Sequence, residues 1–152
     1  MHLQYANLCQ MNASKLRVYA RLQRAAHLLS KAADRELLSV AGITTAQAAV
    51  LAVISENDAQ TQKFIANALG LNESAVVAMA GRLENLGLLS RTRSVDDGRA
   101  WVISLTVKGK RALSQITKPF AAINAKIEAA VNPDDIAAFA GVLDRLRKQF
   151  DD

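Results

Sequence analysis

The sequence predicts a mainly α chain with a small β-hairpin wing, arranged as a winged helix-turn-helix between long terminal helices. Three observations carry that prediction. The 152 residues hold only two prolines and seven glycines against 51% apolar residues, which favours long uninterrupted helices. Two short helical patterns are separated by Gly70-Leu71-Asn72, a left-handed stop followed by a cap. Between Leu88 and Thr106 the apolar period turns strand-like around Asp97-Gly98, a pair that favours a tight reversal. The length fits one compact domain, and a chain of this size buries roughly 68–70% of its unfolded surface, so its core needs neither metal nor disulfide.

The elements follow in order. From about Ser14 to Ser39, the residues Leu16, Tyr19, Leu22, Ala26, Leu29, Ala33 and Leu37 recur every three or four positions, the mark of one apolar helix face. Gly42 ends this helix. Thr44 and Gln47 have the spacing of a capping box, so a second helix is expected to about Ser55. After the polar stretch 56–60, Thr61 caps a short helix that Gly70 stops, and Asn72 caps the next. There Val76, Met79, Ala80, Leu83 and Leu86 form one apolar face, closed by Gly87. Leu88–Arg93 and Ala100–Thr106 read as two strands joined by residues 94–99. Helix then returns, with Leu113, Ile116, Phe120, Ile123, Ile127 and Ala130 in step and Pro119 expected to kink or locally break it. The run 132–135 (NPDD) combines a cap, a proline for the first helical position and two acids for the positive helix end. In the final helix Ile136, Phe139, Leu143, Leu146 and Phe150 repeat the same stepping, the seam of a helix that packs on another helix.

Residues 1–43 and 107–152 are therefore expected to form a helical dimerisation region around a lobe at 44–106, all in one compact domain. The two carboxy-terminal stripes exceed what so small a lobe needs to cover, which points to a homodimer.

Nineteen basic against fourteen acidic residues give a net charge of +5 and favour a polyanionic partner. Residues 60–111 hold eight of the basic residues against four acidic ones, so most of the excess sits in one third of the chain. In a winged helix the second short helix enters the major groove of double-stranded DNA, while the wing follows the backbone or the minor groove. Asn72, Glu73, Ser74, Ala75, Val77 and Ala78 lie on the amino-terminal half of that helix and Arg82 further along it. Arg91, Arg93 and Arg99 bracket the wing, and Lys63 stands at the start of the first short helix, where free amides already favour phosphate.

These residues resemble the MarR family of bacterial transcriptional regulators. The resemblance lies in TTAQAAVLAVI at 44–54, TQKFIANALGLNESAVVAMAGRLENLGLLSR at 61–91 and SVDDGRAWVISLT at 94–106, and in plan extends over residues 14–150. It implies a winged-helix homodimer formed by the terminal helices, cytoplasmic in a bacterium, that binds a near-palindromic operator. It also implies a repressor relieved by a small, often aromatic or phenolic, ligand held between the dimer helices and the lobe. The wing motif Asp97-Gly98-Arg99 implies that Arg99 enters the minor groove and that Asp97 braces the wing. The family commonly places Ser, Thr and Arg on the exposed half of the recognition helix, whereas this chain has Ala75, Val77 and Ala78. Such side chains touch a thymine methyl but make no bidentate bonds to guanine or adenine. Either specificity comes from methyl contacts and DNA shape, or DNA binding is weak.

Other chemistries find little support. There is no GxSxG turn, P-loop, dinucleotide glycine pattern or HExxH, so no catalytic residue, enzyme activity or cofactor is expected. His2 and His27 are far apart with one cysteine available, so no metal-ligand spacing exists. Cys9 excludes an internal disulfide and leaves a redox-switched regulator as an alternative, alongside a helical dimer that acts through a protein partner. Residues 1–13 lack the pattern of a signal peptide. Residues 37–55 run without a charge, but Gly42 and the cap after it split them, so no membrane partner is expected and a cytoplasmic protein is.

Overall fold

The computed structural model describes residues 17–57, 60–93 and 101–150. In chain order they form α1 (Arg17–Ala41), α2 (Thr45–Asn57), β1 (Gln60–Thr61), α3 (Gln62–Leu69), α4 (Glu73–Asn85), β2 (Leu89–Arg93), β3 (Trp101–Leu105), α5 (Val107–Ala129), a 3-10 turn at Pro133–Asp135 and α6 (Ile136–Phe150).

Local chemistry sets most boundaries. Thr44 and Gln47 form the expected reciprocal cap, with the Thr44 amide donating to Gln47 Oε1 at 2.9 Å and the Gln47 amide to Thr44 Oγ1 at 3.3 Å. Thr45 adds a tie that spacing alone did not suggest. Its amide and hydroxyl both donate to Asp34 Oδ1, at 2.7 and 2.6 Å, and so fasten the start of α2 to α1. Thr61 caps α3 by accepting from the Phe64 amide at 3.2 Å. Gly70 ends α3 in the left-handed region with φ 61°, while the Leu71 amide donates back to the Ala66 carbonyl at 2.9 Å. This punctuation produces the helix-turn-helix.

The core lies in the lobe. Val50, Leu51 and Ile54 of α2, Ile65 of α3, Val76 and Leu83 of α4, Ile103 of β3 and Ile116 of α5 pack together, joined by Leu37 from α1. No polar or charged residue is buried among the described residues. Leu86, expected on the apolar face of α4, is exposed instead, because the chain leaves the helix there and turns through Gly87.

Three further expectations need correction. The wing is not a two-stranded hairpin alone: β1 pairs antiparallel with β3 through Gln60 opposite Ile103 and Thr61 opposite Val102, giving a three-stranded sheet in the order β1-β3-β2. Two residues are too few to display a strand period, so the sequence reads as a polar loop there. Of the kink or local break expected at Pro119, the break does not occur, and helix α5 continues through it. Proline removes the rung to the Gln115 carbonyl, but Gln115 is exposed, so water can satisfy that oxygen. Asn132 makes no side-chain cap; its carbonyl instead accepts from the Asp135 amide at 2.8 Å, and the 3-10 turn precedes α6.

The terminal helices are only partly covered within one chain. On α1 Ala33 and Leu37 are buried, whereas Val18, Tyr19, Leu22 and Leu29 are exposed. Helix α6 has no buried residue at all, although Phe139, Val142 and Leu143 line it. No single helix among the described residues is long and apolar enough to cross a membrane.

Candidate nucleic-acid interface

The amino-terminal half of α4 is a fixed platform. Asn72 Oδ1 accepts from the Ala75 amide and from the Ser74 hydroxyl, each at 2.8 Å, which fixes the first turn in register. Val76, Ala80 and Leu83 point into the core, leaving Asn72, Glu73, Ser74, Val77 and Ala78 exposed on the opposite side. Val77 is 43% exposed and does not belong to the core. Ala75 differs from expectation in being half-buried, since it stands beside the Val76 face. Arg82 is exposed in the last turn of α4, where a cation complements the carbonyl end of the helix. Lys63 is exposed in the first turn of α3.

The wing strands place their cations differently from the sequence expectation. In β2, Leu89, Arg91 and Arg93 alternate onto one face of the sheet, and only Leu89 of the three enters the core. Arg93 lies over the ring of its cross-strand partner Trp101, 4.3 Å from the centroid, so the wing stem carries a cation on an aromatic plate. Arg91 is not a free wing cation. It turns back onto α4 and brings Nε to 2.9 Å from Glu84 Oε2, with its side chain 20% exposed. Neither Glu84 nor Trp101 stands out in the sequence, because both roles depend on how strand and helix meet. Asp97, Arg99 and Cys9 lie outside the described residues.

A second junction ties the end of α4 to the start of α5. The Thr106 hydroxyl donates to the Gly87 carbonyl at 2.7 Å and accepts from the Gly109 amide at 3.0 Å, capping α5 while holding the turn. Lys108 Nζ donates to the Leu86 carbonyl at 2.7 Å, and the Thr106 amide to the Leu88 carbonyl at 3.1 Å. The start of α5 is thus bonded to the backbone carbonyls of Leu86, Gly87 and Leu88 at the end of α4.

A capped, outward-facing helix beside a basic wing is the arrangement of a DNA reader, and a family comparison specifies which kind. The model of the MarR family matches residues 41–100, from the end of α1 to the wing. Over these residues the chain is similar to the MarR family. It is similar to the HTH-type transcriptional repressor MdtR of Bacillus subtilis (strain 168), 29% identical over 111 residues that cover 73% of this chain and 72% of that protein. Among solved structures it resembles the transcriptional repressor CouR bound to a 23-mer DNA duplex, with 27% identity, a TM-score of 0.80, and 90% of this chain and 98% of that one covered. The PcaV transcriptional regulator from Streptomyces coelicolor, in complex with its natural ligand, is 27% identical at a TM-score of 0.75, covering 91% of this chain and 98% of that one.

An open cleft of about 570 Å³ lies between α2 and α5. Ala48, Ala49, Ala52, Leu113, Ile116 and Phe120 give it an apolar wall, and Thr45, Thr117 and Asn124 are its polar groups. Its floor on α5 begins less than two turns beyond the Thr106 junction. No group of His, Cys, Asp and Glu side chains suited to a metal ion occurs among the described residues.

Proposed function

We propose that this chain is a MarR-family regulator, a homodimeric, sequence-specific repressor that binds double-stranded DNA and is released by a small aromatic or phenolic effector. The observation that carries this reading is the exposed amino-terminal half of α4. Asn72 caps the helix while Ser74, Val77 and Ala78 face solvent on the side away from the core. In this reading those residues, with Asn72, Glu73 and Ala75, meet base edges in the major groove. Val77 and Ala78 offer methyl groups, so thymine methyls and groove shape supply specificity. Lys63 and Arg82 meet phosphates, Arg93 meets the backbone from the wing stem, and Asp97 with Arg99 places the wing tip in the minor groove.

The likeness to the DNA-bound repressor CouR and to the repressor MdtR supports the DNA-binding and repressor parts. The likeness to ligand-bound PcaV supports an effector, for which the open α2–α5 cleft with its apolar wall is the candidate seat. Residues 1–43 and 107–152 serve as the dimerisation region and 44–106 as the DNA-binding lobe, a division supported by the apolar faces that α1 and α6 leave exposed.

Selection of bound duplexes from a random pool, followed by footprinting, tests the reading. The expected product is a near-palindrome whose half-sites recur about 34–36 Å apart. Replacing contacted thymines by uracil is expected to cost on the order of 1 kcal/mol per methyl. Recovery of no preferred sequence would refute the proposed readout.

A further inference from the structure

We propose that Arg91 is a positioning residue, not a DNA contact: paired with Glu84, it fixes the wing on the recognition helix and so sets the distance between the surfaces that enter neighbouring grooves. The inference rests on the DNA-binding reading above. Arg91 stands midway along β2 opposite the buried Ile103, so its strand is anchored in the core at that level. The side chain crosses α4 at Gly81, where a Cβ would meet its terminal nitrogen at 3.6 Å, and reaches Glu84 one turn further along the same helix face. Nε is closed to solvent, and its approach to Glu84 Oε2 at 2.9 Å is short without the alignment of a hydrogen bond. The carboxylate therefore compensates a largely covered charge, and Arg91 cannot reach a phosphate without uncovering that site and leaving Glu84 unpaired against a polyanion.

The two roles predict opposite signs for Glu84. If Arg91 holds phosphate, Glu84 is a nearby repulsive charge, and Glu84→Gln strengthens binding or leaves it unchanged. If the pair positions the wing, losing either partner loosens the wing and weakens binding.

The test uses full-length protein and a duplex obtained by selection from a random pool, with affinity measured by anisotropy over a range of salt. Glu84→Gln and Arg91→Gln are each expected to weaken binding about three- to tenfold, for a partly exposed pair present in both protomers. The double variant is expected to match the weaker single one, as for two members of one interaction. The log–log salt slope stays at the wild-type value in Glu84→Gln. Arg91→Lys, which keeps the charge but not the planar guanidinium, is expected to weaken binding as Arg91→Gln does.

Unchanged or tighter binding by Glu84→Gln overturns the positioning role. So does an Arg91→Lys protein of wild-type affinity combined with a slope in Arg91→Gln reduced by about 0.9 per lost contact. A wild-type protein that binds no duplex specifically overturns the DNA-binding reading together with this one, and that result is distinct from the other two. Thermal melts of each variant show whether a loss of affinity reflects the wing or global unfolding.

Discussion

At the residue scale, two positions show how burial decides between opposite expectations. Gly109 lies in the first turn of α5, where alanine would normally favour the helix by about 1 kcal/mol. A Cβ there would collide with the Leu88 carbonyl oxygen, a backbone atom that the Thr106 amide already holds. Steric conflict outweighs propensity, so Gly109→Ala is expected to destabilise the fold by about 1–3 kcal/mol in denaturant melts, and a stabilised variant would refute the close approach. Val77 gives the opposite case. With 43% of its surface exposed and the core carried by Val76, the substitution Val77→Glu should alter stability by no more than about 0.5 kcal/mol. Its new carboxylate would face base edges and phosphates, so operator binding is expected to vanish in gel shifts while the melting temperature holds. Unfolding in proportion to lost affinity would show that Val77 belongs to the core.

At the element scale, what was legible in the sequence is what neighbouring residues decide. Asn72, Gly70, Thr61 and the Thr44–Gln47 pair act within a turn of themselves, and spacing alone reveals them. Where a residue's partner is remote, spacing says less. Arg91 reads as a wing cation until the packing of β2 on α4 brings Glu84 to it, and β1 is visible only once β3 lies beside it. Pro119 reads as a kink or local break and Asn132 as a cap, but the helix continues past the one, where an exposed carbonyl can be met by water, and a backbone turn closes the other. The Thr106 junction combines both kinds of information. Its capping role is local, but its bond to the Gly87 carbonyl spans nineteen positions and joins α5 to the end of α4. Thr106→Ser keeps both bonds and is expected to stay near wild-type stability. Thr106→Val keeps the shape but loses them, at a cost of about 0.5–2 kcal/mol in a thermal or urea melt. Equal stability of the two variants would mean that the junction holds through packing alone.

At the scale of the whole molecule, the chain carries more apolar helix surface than it covers. The lobe is closed around Leu51, Ile65, Leu83 and Ile103, and α2 supplies a wall to both the core and the cleft. The terminal helices are different: α6 buries nothing, while Phe139, Val142 and Leu143 remain about two-fifths exposed along one side of it. Single exposed apolar residues are ordinary on a protein surface, but a stripe repeated along α1 and α6 is the surface that the proposed homodimer would cover. A second copy of the chain presents the same stripe and can cover it in a two-fold arrangement. The same dimer would set the spacing of two α4 helices, so the DNA-binding reading depends on it as well. Phe139→Glu combined with Leu143→Glu places two carboxylates in that seam at positions outside the buried core of the isolated chain. The lobe is therefore expected to keep its fold, while sedimentation changes from two chains to one at micromolar concentration. Operator affinity should fall with dimer content, and the concentration dependence of the melting temperature should disappear. A double variant that still sediments as a dimer would move the interface away from α6 and leave its apolar stripe without a partner.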